Sequence, residues 1–284
     1  MLYLTHFEFT SIAMEEDFIF RQKMTCYDTY YPFQVFTKNN LQMLDFEPVT
    51  ILYGGNGSGK TTALNIIAEK LSLKRDTLYN RSNFFEDYTK HCSYQLQGKL
   101  PPGSRIITSD DVFDFMLNLR SINDGIDRKR EELFDEYLEN KYAHFQMKSL
   151  DDYEKLKRVN MSRSRTKSKY IRGNLMGNVR EQSNGESAFM YFVEKIQENA
   201  LYLLDEPENS LSPKRQQELV EFLENSARFF GCQLIIATHS PFILSIKGAK
   251  IYDMDENPVD VKRWTQLENV RVYYDFFKEH EGEF

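Results

Sequence analysis

Val49-Thr50-Ile51-Leu52-Tyr53, followed directly by Gly54-Gly55-Asn56-Gly57-Ser58-Gly59-Lys60-Thr61-Thr62, is the stretch on which the reading of the fold turns. The first five residues are apolar and β-branched or aromatic, and they stop at two glycines, as a short buried strand does. After Thr61, Leu64, Ile67, Ala68 and Leu71 recur at helical spacing, so the order is strand, glycine loop, helix. Gly54 to Thr61 fits GxxxxGK[ST]. Glycines allow the turns that aim successive backbone N–H groups at one anion. The helix start adds its partial positive charge. Lys60 is placed to reach the outer phosphates and Thr61 to offer a hydroxyl to Mg²⁺, and the candidate nucleotide cradle is Gly54, Gly55, Asn56, Gly57, Ser58, Gly59, Lys60, Thr61 and Thr62.

Two more apolar runs end in polar residues. Leu201-Tyr202-Leu203-Leu204 runs into Asp205-Glu206-Pro207-Glu208. Carboxylates at the end of a buried strand need a cation or a proton to answer them. Asp205 is the candidate metal ligand and Glu206 the candidate base for an attacking water. Leu234-Ile235-Ile236-Ala237 runs into Thr238-His239-Ser240-Pro241, and an imidazole at the mouth of a parallel sheet is placed to meet a terminal phosphate or its water. Glu206, His239 and Lys60 are the candidate catalytic set.

Around these anchors, Leu2 to Phe9 and Phe33 to Phe36 read as strands, joined through the acid-rich Met14 to Asp17 segment. Arg105 to Thr108 reads as a strand ending at Ser109-Asp110-Asp111. Val112 to Asn118 and Ile126 to Met147 read as two charged helices. Lys155, Lys157, Arg158, Arg163, Arg165, Lys167, Lys169 and Arg172 fall in a Ser- and Thr-containing stretch with little apolar periodicity, which reads as a mobile basic loop. Helices follow Gly185 and span Pro213 to Phe229, and the tail from Asp275 reads as polar and frayed. Strands alternating with helices give a mainly parallel sheet.

The 284 residues, 41% hydrophobic and 28% charged, suffice for one large core. The net charge of -7 opposes generic binding of polyanions, so any nucleic-acid contact is local. Cys26, Cys92 and Cys232 have no CxxC or Cys/His spacing, which argues against a disulfide framework or a zinc site and favours a reducing compartment. No leader or long apolar span is evident, so the expected location is cytoplasmic, off the membrane.

With Ser183-Asn184-Gly185-Glu186-Ser187 the order becomes phosphate loop, signature-like tetrapeptide, LLDEP and THS. This resembles the ABC ATPase superfamily and, more narrowly, the small stand-alone bacterial AAA/ABC-type ATPases with an SMC-like head and LLDEPE-x-x-LSP and IIATHSP motifs, some found in phage defence. Here those motifs read Leu203 to Pro213 and Ile235 to Pro241. The resemblance implies an α/β P-loop NTPase of ABC type. It has an N-terminal antiparallel lobe with the phosphate loop (1–110), a helical insertion with the basic segment (111–182), and signature, carboxylates and histidine (183–284). It also implies ATP and Mg²⁺ as cofactors and a homodimer in which Ser183 and Gly185 contact the nucleotide held by the opposite subunit. The implied role is ATP-dependent control of a partner protein, such as a separate effector or nuclease chain, or of a nucleic acid gripped through 155–172, in DNA maintenance or antiviral defence. The alternative is the nucleotide-binding subunit of a membrane transporter, which a glutamine loop and a Gly-Gly signature would distinguish. This chain departs from both, with Asn184 at one signature glycine and no clear glutamine loop. Asp110, beside a strand end, is the candidate replacement as metal or water ligand.

Overall fold

The computed structural model describes residues 1–22, 27–143, 153–175 and 184–284. They form two compact units, one comprising 1–113 with 184–284 and the other 114–183.

In the first unit, β1 (Leu4–Glu8), β2 (Met43–Asp45) and β4 (Ser93–Leu96) make an antiparallel sheet in the order β2-β1-β4. A second sheet orders β5 (Arg105–Thr108), β6 (Leu201–Asp205), β7 (Gln233–Thr238), β3 (Val49–Tyr53), β8 (Lys250–Asp253) and β9 (Asp260–Val261). All its pairings are parallel except β8 with β9. Every residue of β3, β6 and β7 is buried, which is why these strands read as continuous apolar runs. Helix α2 (Lys60–Lys70) packs Ala63, Leu64, Ile66 and Ile67 into the same core as Leu203, Ile235 and Ala237. Gln233 ties the sheets together from inside: its Oε1 accepts from the N–H groups of Tyr3 and Leu4, each at 2.8 Å, and its Nε2 donates to the Leu4 carbonyl at 2.7 Å.

The strand register matters most for function. Thr108 lies opposite Asp205, Asp205 opposite Ala237, Thr238 opposite Tyr53, and Tyr53 opposite Asp253. Five strands therefore end on one line, the carboxyl edge where ligands of open α/β sheets collect.

Several expectations are corrected. Met14 to Asp17 belongs to helix α1 (Ile12–Arg21), not to a connection, with Ser11 as N-cap accepting from the Met14 N–H. Phe33 to Phe36 forms turns, not a strand; Phe33 stacks on Phe18 at 4.3 Å and meets Tyr88 edge-on at 5.0 Å, so tertiary packing of aromatics overrides β propensity. After α3 (Phe85–His91), the two expected charged helices are one, α4 (Ser109–Tyr142).

In the second unit the basic segment is helical rather than a loop, as α5 (Tyr153–Ser164) and α6 (Lys167–Arg172). Tyr170 and Ile171 bury against Leu133 and Tyr137 of α4, and Thr166 caps α6 by accepting from the Lys169 N–H. Those few apolar positions are too sparse to show as periodicity, yet they suffice to dock the turn.

Back in the first unit, α7 (Asn184–Lys195), α8 (Pro213–Phe229) and the short α9 (Pro241–Leu244) flank the sheet. Of the tail expected to fray from Asp275, the residues to Glu279 belong to helix α10 (Glu268–Glu279), and a 3₁₀ turn follows at Glu281–Glu283.

Candidate functional site at the carboxyl edge of the sheet

The glycine loop closes on itself around Lys60. Its ammonium donates to the carbonyls of Gly54 at 2.6 Å and Gly55 at 2.9 Å, and the residue is only 5% exposed. A Cβ at Gly54 would sit 2.6 Å from Ser58 Oγ. One at Gly59, where φ is +94°, would press on Phe36 and Val35 at 3.1 Å. Both positions therefore require glycine. A cavity of ≈ 390 Å³ is lined by the loop from Asn56 to Thr62 with Glu206, Tyr31 and Val35.

Asp205 ends β6 facing the loop, and Thr61 Oγ1 donates to its Oδ1 at 3.0 Å. Burial pushes the Asp205 carboxyl up to about 7; the Thr61 hydrogen bond and Lys60 pull it down, while Glu206 and Glu208 push it further up. A carboxylate so placed is under-compensated, and a divalent cation shared with Thr61 would supply the missing charge. Among the described residues no group of three His, Cys, Asp or Glu side chains is arranged to hold a metal, so such an ion would need phosphate oxygens or water for its remaining ligands. The donor set fits Mg²⁺ bound together with a nucleotide.

Glu206 adopts a left-handed backbone, φ 47°, and its N–H donates to the Ala237 carbonyl at 2.9 Å. That conformation is uncommon for a side chain with a Cβ and marks a constrained position. It places the carboxylate in the cavity wall, with Oε2 accepting from Asn209 Nδ2 at 3.1 Å and Oε1 3.8 Å from His239 Nδ1. His239 is half-exposed, and its Nδ1 is also 3.6 Å from Glu208 Oε1.

Glu208, to which the sequence reading assigned no role, holds this turn. Its buried Oε1 accepts from Thr238 Oγ1 at 2.6 Å, the His239 N–H at 3.1 Å and the Ser240 N–H at 3.2 Å. Asn269 of α10 braces the same turn, donating from Nδ2 to the His239 carbonyl at 2.9 Å while its N–H donates to the Tyr53 hydroxyl at 3.1 Å. Asp255 was also missed; its Oδ2 accepts from the Gly55 N–H at 2.7 Å. No local signal marks Glu208, since its donors lie 30 to 32 residues further along the chain.

Other expected residues fare differently. Asp110 is exposed in the first turn of α4, and the neighbouring Asp111 turns inward instead, its Oδ2 accepting from the N–H of Thr108 at 2.6 Å and from its Oγ1 at 3.0 Å. Near Asp111 and Asp205, Arg75 lies over the Tyr79 ring at 4.1 Å and donates to Asn65 Oδ1; burial lowers its pKa, opposed by the nearby acids. Gly185 sits in the first turn of α7, where a Cβ would be 3.4 Å from the Ser210 carbonyl oxygen; it is not among the residues lining the loop cavity. Ser183 lies outside the described residues. Ser212, beyond Glu208 in the chain, caps α8 by accepting from the Arg215 N–H.

The fold is a mixed α/β one whose mostly parallel sheet carries a GxxxxGK[ST] loop between β3 and α2, the strand–loop–helix arrangement of a phosphate-binding loop. Residues 133–245 match a family model described as an AAA domain, putative AbiEii toxin, type IV TA system. No curated protein matches the sequence. Among solved structures, the Smc head domain with an extended coiled coil from Pyrococcus furiosus, bound to the C-terminal domain of ScpA, aligns over 97% of this chain and 100% of that one, with 13% identity and a TM-score of 0.46. A putative metal-chelate type ABC transporter in an inward-facing conformation aligns over 83% and 82%, with 16% identity and a TM-score of 0.38. A dimeric ATP-binding cassette bound to ADP and Pi aligns over 79% and 90%, with 14% identity and a TM-score of 0.37. The chain resembles the stand-alone, SMC-like members of the ABC-class P-loop ATPases. Among the described residues, no helix is long and apolar enough to cross a membrane.

Proposed function

We propose that this chain hydrolyses ATP with Mg²⁺ at the carboxyl edge of its sheet, in a site that a second copy completes, and that closing and opening of the pair controls a partner protein or a nucleic acid. The observation that carries this reading is the 3.0 Å hydrogen bond from Thr61 to Asp205, which joins the phosphate loop to the strand end that also presents Glu206. When bound, Mg²⁺ would neutralise phosphate charge, with Thr61 and Asp205 as its protein-derived holders. Loop N–H groups and Lys60 would hold the phosphates, Lys60 releasing the carbonyls of Gly54 and Gly55 to do so. Glu206 would orient a water and take its proton, and His239, within 3.8 Å of Glu206, would hold the water or the terminal phosphate from the other side.

The exposure of the half-site supports completion in trans, because the cavity wall offers Glu206 and the loop but neither Gly185 nor any other part of α7. The partial match to a family described as putative type IV toxin–antitoxin proteins supports a toxin–antitoxin or defence setting over housekeeping hydrolysis. Residues 155–172 would serve as the nucleic-acid contact. In 153–175, eight Lys and Arg face one Glu, and among the described residues Lys157, Arg163, Arg165, Lys167, Lys169 and Arg172 form no ion pair with an acid, whereas Arg158 pairs with Glu136.

The test is the solution mass of Glu206→Gln with and without ATP and Mg²⁺, with Lys60→Ala as control. A nucleotide-dependent doubling of mass in Glu206→Gln alone is the expected result. Unchanged mass despite bound ATP would remove the self-dimer and require another chain to supply the missing half-site.

A further inference from the structure

A cavity of ≈ 650 Å³ near the site is not the nucleotide cavity but a groove beside it. Its walls carry Arg271 together with the rings of Phe242, Trp264, Tyr273, Tyr274 and Phe277. Helix α10 supplies three of them, and of its twelve residues only Val270 is buried. Tyr273, Tyr274, Phe276 and Phe277 are each about half-exposed, at 47%, 54%, 52% and 53%. A contiguous apolar patch of this kind is costly to leave in water and marks an interaction surface. It is also lined by Glu208 and Gln216 with His239 and Ser240, the turn whose histidine lies 3.8 Å from Glu206 of the nucleotide cavity.

The polar groups of that lining say what the occupant carries. Ser240 Oγ donates to Gln216 Oε1 at 2.6 Å, so these two satisfy each other. Glu208 is different: Oε1 takes three donors, but the buried Oε2 has no hydrogen-bond partner. A buried carboxylate oxygen without a donor costs about 1–3 kcal/mol or more, and a cationic side chain entering the groove would answer it. The one Lys or Arg in the lining, Arg271, is engaged elsewhere, 3.5 Å from Asp275 and over the Tyr274 ring. A second copy docking through the same patch by two-fold symmetry would bring Arg271 as the one Lys or Arg of that lining, and it is already paired with Asp275. The chemistry therefore favours a different chain.

We propose that the groove between α10 and the His239-Ser240 turn is a docking site for an apolar, cation-bearing segment of a separate partner protein. The segment's apolar side chains fill the aromatic walls, and a Lys or Arg reaches Glu208, in the manner of an amphipathic helix laid in a groove. Because the occupant rests on the turn that carries His239, the partner is placed to sense or bias the nucleotide site.

The experiment needs no nucleotide, so its failure is distinct from failure of the proposed ATPase cycle. A fluorescein-labelled, fifteen-residue Leu/Lys amphipathic peptide is titrated with the full chain and followed by anisotropy, alongside a Leu/Glu peptide of the same pattern. The Leu/Lys peptide is expected to bind at least about tenfold more tightly than the Leu/Glu peptide. The Tyr274→Ser/Phe277→Ser variant should lose about tenfold in affinity, whereas Phe20→Ser, which removes an aromatic 91% exposed on α1, should lose none. Should the double variant fail to fold, hydrogen exchange on the wild-type chain decides the matter: peptide-induced protection is expected at 239–243 and 264–277. Equal binding of both peptides, affinity untouched by the double substitution, or protection confined elsewhere would each overturn the proposal. A concentration-dependent doubling of mass without ATP, abolished by Phe277→Ser, would also overturn it by assigning the groove to a second copy.

Discussion

The carboxyl edge of the parallel sheet and the helical segment 153–175 use charge in opposite ways. At the sheet edge Asp205, Glu208 and Lys60 are buried, and each is fixed by named donors or acceptors: Asp205 by Thr61, Glu208 by Thr238, His239 and Ser240, and Lys60 by two loop carbonyls. In the helical segment the cations are exposed, and they are held near one another by a small core of Leu133, Tyr137, Tyr170 and Ile171. Buried charge is sensitive to the position of one atom; exposed charge acts by number and is screened by salt. Single substitutions should therefore be severe in the first region and mild in the second, where only combined changes show.

The largest effect expected is that of Glu206→Gln on turnover, a fall in kcat of at least about 100-fold with nucleotide binding retained, as loss of a general base predicts. Single-turnover kinetics with separate binding titrations measure both. A loss under about fivefold would mean that Glu206 is not the base and that the edge tolerates atomic displacement as the helices do.

Glu208→Ala comes next. It leaves the Thr238 hydroxyl and the His239 N–H unpaired, the Ser240 N–H keeping Thr238 Oγ1 at 3.0 Å, so a loss of about 3 kcal/mol in stability is expected, together with slower turnover because His239 loses its support. Urea unfolding beside a steady-state assay separates the two. Unchanged stability would show that water replaces the carboxylate and that the turn is not held by it.

How far the sequence carried this division depends on the kind of signal. The phosphate loop, Asp205, Glu206 and His239 were readable because buried parallel strands write themselves as apolar runs, and whatever interrupts the end of such a run faces the edge. Helix α8 spans Pro213 to Phe229 as its sequence reads, and the structure adds Ser212 as its cap with Pro213 in the first turn. Helix α1 was not legible: its acids suggested a connection, although Ser11 was a cap signal, and Glu15 is held inside by the Gln34 N–H at 2.6 Å. Asp255, Asn269 and Glu208 act by reaching across chain separations of 200, 30 and 30 residues, and no local pattern encodes those meetings. The basic stretch misled for a related reason, since two buried residues near its end anchor helices that its composition denies.

The helical segment supplies the third test. Changing Lys157, Lys167, Lys169 and Arg172 together to Gln should leave ATP turnover within about twofold, yet weaken binding of a labelled duplex and flatten its salt dependence by about 0.9 in log–log slope for each phosphate no longer neutralised. Anisotropy at several salt concentrations measures both. Equal slopes in wild type and variant would mean that the exposed cations serve only as a solvated surface.

The smallest effect concerns a charge cluster in the antiparallel sheet that is intermediate between the two regions. His6 Nδ1 lies 2.6 Å from Asp45 and Nε2 3.4 Å from Glu8, with the ring 17% exposed and the acids 63% and 57% exposed. The Asp45 hydrogen bond raises the His6 pKa, burial opposes it, and Glu8 adds to the rise. A raised folded pKa means that the folded state binds more protons than the unfolded one, so stability falls as pH climbs. The contribution is complete below the ordinary histidine value of about 6.5 and is lost as pH passes the folded value. For partners this exposed the amount should be about 0.2–1 kcal/mol and should shrink in salt. Urea midpoints at pH 6 and pH 8.5, in low and high salt, for wild type and His6→Gln measure it: the wild type should lose slightly more stability than the variant on going to pH 8.5, and only at low salt. A difference that survives 1 M salt would place His6 with the buried charges of the sheet edge rather than with the exposed ones, and the division between the two regions would have to be drawn by local packing instead of by exposure.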